Sequence, residues 1–314
     1  MSNTCTDSFK SAEHVGGVGL ALPIIFVVLY GSAFPAAKVG LLYAGVFEFL
    51  ALRYALVAAL LSIVALVLRA PWPRTRRDLM HICVAGLLMV GIFNAAAFAS
   101  VALGVPPAVC ALIIALQPII VALGAKPLLG EHTSGRQWLG LLLGVLGVYL
   151  VVSGNLVLDT TYITGVGLSL LALISQAAGN LYQKKFCAPM NVFTGGSVQN
   201  LISAAVMLAA IGVFGMHEVH WTGRFVMSLV WMTVVVSVGA VSILYVMIRR
   251  GKVSVVASLF YLVPVSAAIG AYVLFSQVPT GVQFLGAVVA AAGVAIVARP
   301  AVGRDRLESP VSNQ

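Results

Sequence analysis

One ionisable residue lies inside a long apolar run of the chain. Arg53 stands in the run FLALRYALVAALL, a sequence that otherwise contains no charge. A guanidinium in such surroundings attracts a carboxylate, either that of a substrate or that of Glu48, which stands shortly before it. The alternative is an arginine whose stem lies in lipid and whose head reaches the membrane surface. The same alternative applies to Lys38, at the end of the preceding apolar run.

Uncharged polar residues within apolar runs form a second group of candidates. An amide or hydroxyl that faced lipid would lack hydrogen-bond partners, so each is expected to face a neighbouring helix or an internal cavity. Helix-to-helix bonding and substrate contact both satisfy this requirement, and the sequence leaves both open. Together with Arg53, the candidate substrate-binding residues are Ser32, Asn94, Gln117, Asn180 and Tyr261.

Two prolines, Pro118 and Pro264, also lie inside apolar runs. Proline cannot donate a backbone hydrogen bond, so each predicts a bend in its helix. The bends are either fixed kinks or the points at which a cavity opens and closes. In the second case, Pro118 and Pro264 are gating residues.

The composition excludes most soluble functions. Of the 314 residues, 61% are hydrophobic and 9% are charged, whereas soluble domains carry about 25% charged residues. The net charge of +9 therefore indicates membrane topology and not a nucleic-acid partner. The sequence shows no phosphate-binding loop, no HExxH motif and no plausible Ser-His-Asp set. We expect a lipid bilayer and a small-molecule substrate as partners, with no catalytic residues, no metal and no cofactor.

The elements that must position these residues are ten predicted transmembrane helices, which makes the chain an all-α integral membrane protein. The predicted helices span residues 19–39, 46–68, 79–100, 105–125, 136–153, 162–183, 193–215, 227–248, 253–276 and 280–298.

The basic residues predict how these helices are oriented. If the N-terminus is cytoplasmic, 15 of the 18 Lys and Arg residues fall in cytoplasmic segments, as the positive-inside rule requires. The expected localisation is the cell (inner) membrane, with both termini cytoplasmic. Among the five histidines, His81 is expected at the cytoplasmic membrane interface.

The two halves of the chain match at an offset of 146 residues. The segment 137–140 (QWLG) matches 283–286 (QFLG), and Pro118 matches Pro264. Each half holds five predicted helices, and because five is an odd number, the second half lies upside down relative to the first. Inverted repeats are typical of secondary transporters, whose substrate site lies between the repeats. A duplicated scaffold without transport is the alternative.

Several segments, taken in order, resemble the EamA-type members of the drug/metabolite transporter (DMT) superfamily. They are Gly31-Ser32-Ala33-Phe34 with Lys38, the stretch from Phe47 to Arg53, the stretch from Ala111 to Pro118 followed by Leu128-Leu129-Gly130-Glu131, and the stretch from Gln137 to Gly147. The resemblance covers about residues 19–298 and implies two inverted five-helix EamA-like repeats. The chain departs from the family pattern at Gln277, which replaces the acid of the first repeat, and at Gln199, the repeat partner of Arg53.

The predicted organisation has four parts. Residues 1–18 form a cytoplasmic N-terminal tail, and residues 19–155 form the first repeat. Residues 162–298 form the second repeat, and residues 299–314 form a cytoplasmic C-terminal tail. Glycines in the fifth and tenth predicted helices allow close helix packing, either within the chain or in a homodimer.

The resemblance implies a secondary transporter, expected to export a small metabolite such as an amino acid by alternating access. A drug or cation efflux carrier of the same fold is one alternative. An intramembrane enzyme or lipid-processing scaffold and a passive channel are the others. No Asp or Glu lies in the middle of a predicted span, so the sequence shows no proton relay, and the coupling ion stays open.

Overall fold

A computed structural model describes residues 22–117, 119–121, 135–153, 159–240, 243, 263–276, 278 and 280–298. These residues form ten helices, in the order that the apolar runs predict. They are α1 (Leu22–Leu41), α2 (Val46–Val67), α3 (Arg76–Ala102), α4 (Pro107–Ile114), α5 (Gly135–Ser153), α6 (Thr160–Phe186), α7 (Val192–Phe214), α8 (Gly223–Ala240), α9 (Val263–Phe275) and α10 (Gly281–Ala298).

Six of the described helices, α1, α2, α3, α6, α7 and α8, are long and apolar enough to cross a membrane. The apolar stretches of the other four are shorter, at 10–17 residues. The N-terminal and C-terminal tails of the predicted organisation lie outside the described residues.

Polar residues in the breaks between apolar runs fix where several helices begin. The side chain of Thr75 accepts the backbone N–H of Asp78 at the start of α3, and Thr222 accepts that of Phe225 at the start of α8. Such caps satisfy backbone donors that have no partner within the helix. Because of these caps, α3 and α8 begin a few residues before the predicted positions 79 and 227, which were placed where the hydrophobic residues start.

The two halves of the chain pack in a reciprocal pattern. Helices at equivalent positions pair with each other, α2 with α7 and α5 with α10. The first helix of each half packs against the third and fourth helices of the other half, so α1 contacts α8 and α9 while α6 contacts α3 and α4. This exchange of partners is the pattern expected for inverted repeats, which are related by a pseudo-two-fold axis in the membrane plane.

The ends of the helices lie on two faces of the molecule. The basic side carries the ends of α2, α3, α6 and α7 near Arg69–Arg77 and Lys184–Lys185. The opposite side carries the short loop 42–45 between α1 and α2 and the loop 215–222 between α7 and α8.

Glycines bring α5 and α10 into backbone contact. A Cβ atom at Gly147 would lie 2.5 Å from the Ala290 nitrogen, and one at Gly293 would lie 2.7 Å from the Gly140 carbonyl oxygen and 2.8 Å from the Gly144 nitrogen. These glycines are therefore used for packing inside the chain.

Gly293→Ala is expected to destabilise the protein by about 1–3 kcal/mol, because backbone atoms of α5 cannot move away from the added methyl group. The measurement is the thermal unfolding midpoint of detergent-purified protein. Gly212→Ala on α7 is the matched control, since a Cβ there meets no atom within 4 Å. Equal midpoints for the two variants would contradict the close contact of α5 and α10.

Candidate functional site

Arg53 is buried at the centre of the helix bundle. It lies on α2 with 8% of its surface exposed, and its guanidinium reaches two other helices. Nη1 donates to Oδ1 of Asn94 on α3 at 3.4 Å, and Nη2 donates to Oγ of Ser237 on α8 at 3.1 Å. The guanidinium thus joins helices of both repeats. It does not reach out to the membrane surface, so a snorkelling arginine is ruled out.

No carboxylate accompanies this charge in the part of the chain that the structure describes. The contacts of Arg53 are to the amide and the hydroxyl above and to the face of the Phe98 ring, whose centroid lies 5.8 Å from Cζ. Its Nε is buried and has no hydrogen-bond partner among the described residues. A buried cation held only by neutral groups has electrostatic attraction left for an anion.

Two π-helical segments lie at the partners of Arg53: the one in α8 contains Ser237, and the one in α3 ends two residues before Asn94. They cover Leu87–Ile92 in α3 and Trp231–Ala240 in α8. With the repeat offset of 146 residues, the first segment is equivalent to residues 233–238, which lie within the second segment. Such segments often occur at functional sites. In α8, the Ser237 hydroxyl donates to the Met232 carbonyl at 2.9 Å.

The first segment receives two hydrogen bonds at a single carbonyl. The Asn94 amide and the Tyr54 hydroxyl both donate to the oxygen of Val90, at 2.9 and 2.7 Å. Tyr54 is also buried and follows Arg53 on α2. These bonds fix the side chain of Asn94 with its oxygen towards Arg53.

Glu48 does not pair with Arg53, contrary to one of the two alternatives from the sequence. Its Oε1 accepts the backbone N–H of His217 at 2.7 Å and lies 3.6 Å from the His217 Nδ1. Its Oε2 is buried without a partner among the described residues. The Glu48 carboxylate therefore connects loop 215–222 to the start of α2 by a hydrogen bond. A second bond, from the His220 backbone N–H to the Tyr43 carbonyl at 2.8 Å, connects the same loop to loop 42–45.

Ser32 lies in a contact between α1 and α8 near the middle of α1. Its hydroxyl donates to the Leu29 carbonyl at 2.7 Å and accepts the Trp231 indole N–H at 2.8 Å. Further along the same contact, Ser228 donates to the Ala36 carbonyl at 2.7 Å. These bonds join the two repeats near the face of the molecule that is opposite to the basic side. In the same region, Nζ of Lys38 lies 4.5 Å from the centroid of the Phe275 ring, over its face.

The repeat-related contact on the basic side joins α3 and α6. His81 Nδ1 lies 2.8 Å from the Tyr182 hydroxyl, and the His81 ring stacks on Phe186 with 4.8 Å between centroids. By the repeat offset, Tyr182 is equivalent to Ala36 of the first repeat. Cys187, which follows α6, is buried nearby, and burial, with a smaller contribution from Asp78, raises the pKa of its thiol.

The remaining candidate residues are not joined to this network by any described contact. Gln117 and Asn180 are half-buried on their helices. Tyr261 and Pro118 lie outside the described residues, and Pro264 lies at the start of the described part of α9, where its side chain is not described. Of the predicted substrate-binding set, the structure brings together Arg53 and Asn94.

Ser237 and Phe98 are residues of the site that the sequence reading missed. A serine and a phenylalanine in apolar runs carry no signal of their own. The repeat offset supplies one for Ser237, because its equivalent is Gly91, so a hydroxyl occurs in only one of the two π-helical segments.

Comparison with protein families matches both halves of the chain. The model of the EamA-like transporter family matches residues 17–153 and again residues 163–299. These segments contain the two sets of five helices, so the predicted family and the ten-helix fold with two repeats are confirmed. The family is one of transporters and not of enzymes, which overturns the alternative of an intramembrane enzyme.

Individual relatives agree with this match. A probable amino-acid metabolite efflux pump of Escherichia coli (strain K12) is 26% identical over 287 residues, which cover 88% of this chain and 93% of the relative. A probable terminal-alkyne amino-acid exporter of Streptantibioticus cattleyicolor is 28% identical over 292 residues, with 90% and 94% covered. An uncharacterized inner membrane transporter of Escherichia coli (strain K12) is 25% identical over 194 residues, 60% of each chain.

A solved structure shares the fold. It superposes with a TM-score of 0.61 at 19% sequence identity, and the match covers 88% of this chain and 94% of the other.

Glu48→Ala is expected to loosen loop 215–222, because the His217 N–H loses its acceptor. Loss of one such bond, about 1–1.5 kcal/mol, should speed amide hydrogen exchange in this loop by roughly tenfold. Mass spectrometry of the purified protein measures this exchange. Glu218→Ala, which changes an exposed glutamate of the same loop, should leave the exchange rate as it is. An unchanged rate in Glu48→Ala would show that Glu48 does not hold the loop.

Proposed function

The chain belongs to the EamA-like transporter family, and on that premise we propose that it exports amino acids or closely related metabolites as a secondary carrier. The carrier binds the substrate carboxylate at Arg53 and moves it by alternating access between the two repeats. The names of two relatives, an amino-acid metabolite efflux pump and an amino-acid exporter, support this substrate class.

The observation that carries the proposal is the buried guanidinium of Arg53 without a described carboxylate partner. Arginine presents a planar set of donors that binds both oxygens of a carboxylate, and this pairing is strong where water is excluded. Asn94 has a second amide N–H, beyond the one bonded to Val90, that can donate to the same carboxylate. We therefore place the centre of the binding site at Arg53 and Asn94.

The other candidate residues keep proposed roles around this centre. Gln117, Asn180 and Tyr261 would contact the rest of the substrate, and Ser32 would line the cavity from the α1–α8 contact. Pro118 and Pro264 would be the bends that allow α4 and α9 to move.

Two contacts between the repeats are suited to act as gates in this mechanism. The contact of α1 with α8 at Ser32–Trp231 and Ser228–Ala36 would close the opposite side. The contact of α3 with α6 at His81–Tyr182 would close the basic side. In an inverted-repeat carrier, one gate opens as the other forms, which exposes the central site to each side in turn.

The charge distribution supports a location in the cell (inner) membrane with both termini cytoplasmic. Fifteen of the 18 Lys and Arg residues then face the cytoplasm. The basic side is the cytoplasmic side in this orientation, and loop 215–222 faces outward.

A cationic drug fits the site less well than an amino acid. A permanent cation would be repelled by Arg53, and no Asp or Glu occurs in the middle of a predicted span to attract it.

Arg53→Met is expected to weaken carboxylate-dependent transport strongly. Loss of charged hydrogen bonds, about 2–3 kcal/mol in total, should lower kcat/KM for amino acids by roughly 30-fold to 150-fold. The measurement is counterflow of the twenty proteinogenic L-amino acids into liposomes that contain purified protein, with the carboxamide of each transported amino acid as a second probe.

The matched control is Arg224→Met, which changes an exposed arginine at the start of α8 and should transport as the wild type does. The proposed function is wrong if wild-type protein transports no amino acid saturably, or if Arg53→Met transports amino acids as the wild type does.

A further inference from the structure

The Ser237 hydroxyl occupies an acceptor position on Arg53. A hydroxyl has one proton to donate, and that of Ser237 goes to the Met232 carbonyl at 2.9 Å. Towards Nη2 of Arg53, 3.1 Å away, Ser237 can therefore only accept. Its oxygen supplies an uncharged version of what a substrate carboxylate oxygen would supply.

Building on the function proposed above, we propose that Ser237 holds the place of the substrate carboxylate in the empty carrier. In the proposed binding mode, one carboxylate oxygen takes the Nη2 N–H that the Ser237 oxygen accepts in the empty carrier, so the two oxygens compete for it. Substrate binding then breaks the Arg53–Ser237 bond, which joins the first repeat to the second.

The two neighbours of Arg53 differ in whether they can stay beside a carboxylate. The Asn94 amide keeps one N–H on the Val90 carbonyl and has a second one for the substrate. Ser237 would have to give up its bond to Met232 before it could donate. Two acceptors facing each other repel, so a carboxylate that takes the Nη2 N–H held by Ser237 displaces the Ser237 hydroxyl.

Displacement of Ser237 acts directly on α8. Ser237 lies in the π-helical segment Trp231–Ala240, and the same helix carries the Trp231 and Ser228 contacts to α1. Release of the Arg53–Ser237 bond removes a polar contact between the repeats near the middle of the bundle. The loaded carrier can thus move α8 more readily than the empty carrier.

The two repeats differ at this position. The repeat equivalent of Ser237 is Gly91, which has no hydroxyl, and the repeat equivalent of Arg53 is Gln199. Gln199 bonds to the Gln183 side chain at 2.8 Å. The Ser237 hydroxyl, as an acceptor in place of the substrate carboxylate, therefore has no equivalent at the repeat-related position.

The test is Ser237→Ala in the counterflow assay, with the twenty L-amino acids and the carboxamides of those transported as probes. Removal of the competing acceptor enlarges the fraction of carriers ready to bind, so the KM for amino acids should fall about threefold to tenfold. The KM for the carboxamides, which lack the anionic group, should not change.

In Ser237→Ala, the empty carrier lacks the Arg53–Ser237 bond and should change conformation faster. Net efflux needs this step and exchange does not, so the ratio of exchange rate to net efflux rate should fall. Ser237→Thr keeps the hydroxyl and should behave as the wild type does. Ser203→Ala is the matched control, because Ser203 is a buried serine that also bonds the backbone of its own helix. If Ser237→Ala does not fold, Ser237→Gly introduces the residue of the first repeat and carries the same expectation.

Three outcomes overturn the inference. The first is an unchanged or higher KM for amino acids in Ser237→Ala while Arg53→Met lowers kcat/KM as expected, which leaves the proposed function standing. The second is an equal change in KM for amino acids and carboxamides, which indicates a general structural effect. The third is wild-type protein that transports no amino acid, or an Arg53→Met variant that transports as the wild type does, which removes the proposed function as well.

Discussion

The guanidinium of Arg53 lies in the apolar interior of a membrane protein without a described carboxylate beside it. An arginine at the centre of a membrane span costs about 2.5–3.5 kcal/mol on an insertion scale. The chain offsets part of this cost with the Asn94 amide, the Ser237 hydroxyl and the face of Phe98. These groups come from α3 and α8, so the position of one charge constrains three helices. The charge is also the feature on which the proposed binding of a substrate carboxylate rests.

The scaffold around this charge is symmetric, whereas the charge is not. The pairing of α2 with α7 and of α5 with α10 repeats across the two halves, as do the π-helical segments of α3 and α8. In the proposed mechanism, the symmetric scaffold allows two related conformations that open to opposite sides. The single Arg53, opposite the uncharged Gln199, is then the one proposed binding position for a carboxylate.

The sequence predicts much of this structure because its signals are local. Ten apolar runs, the alternation of basic residues and the repeat offset determine the helix count and the inverted arrangement. Arg53 and Asn94 were identifiable because a charge or an amide is expensive in an apolar run. The bond of Glu48 to His217 and that of Arg53 to Ser237 span 169 and 184 residues of sequence. No periodicity or spacing encodes such pairs, and Ser237 lies in a π-helical segment, which differs from the regular helix that a hydrophobic pattern predicts.

The most direct measurement is an experimental structure of the protein with a transported L-amino acid bound. We expect both carboxylate oxygens within about 3 Å of the Arg53 nitrogens, with the Ser237 hydroxyl moved off Nη2 and still bonded to the Met232 carbonyl. A substrate bound elsewhere in the bundle, with the Arg53–Ser237 bond intact, would contradict the assignment of Arg53 as the carboxylate site.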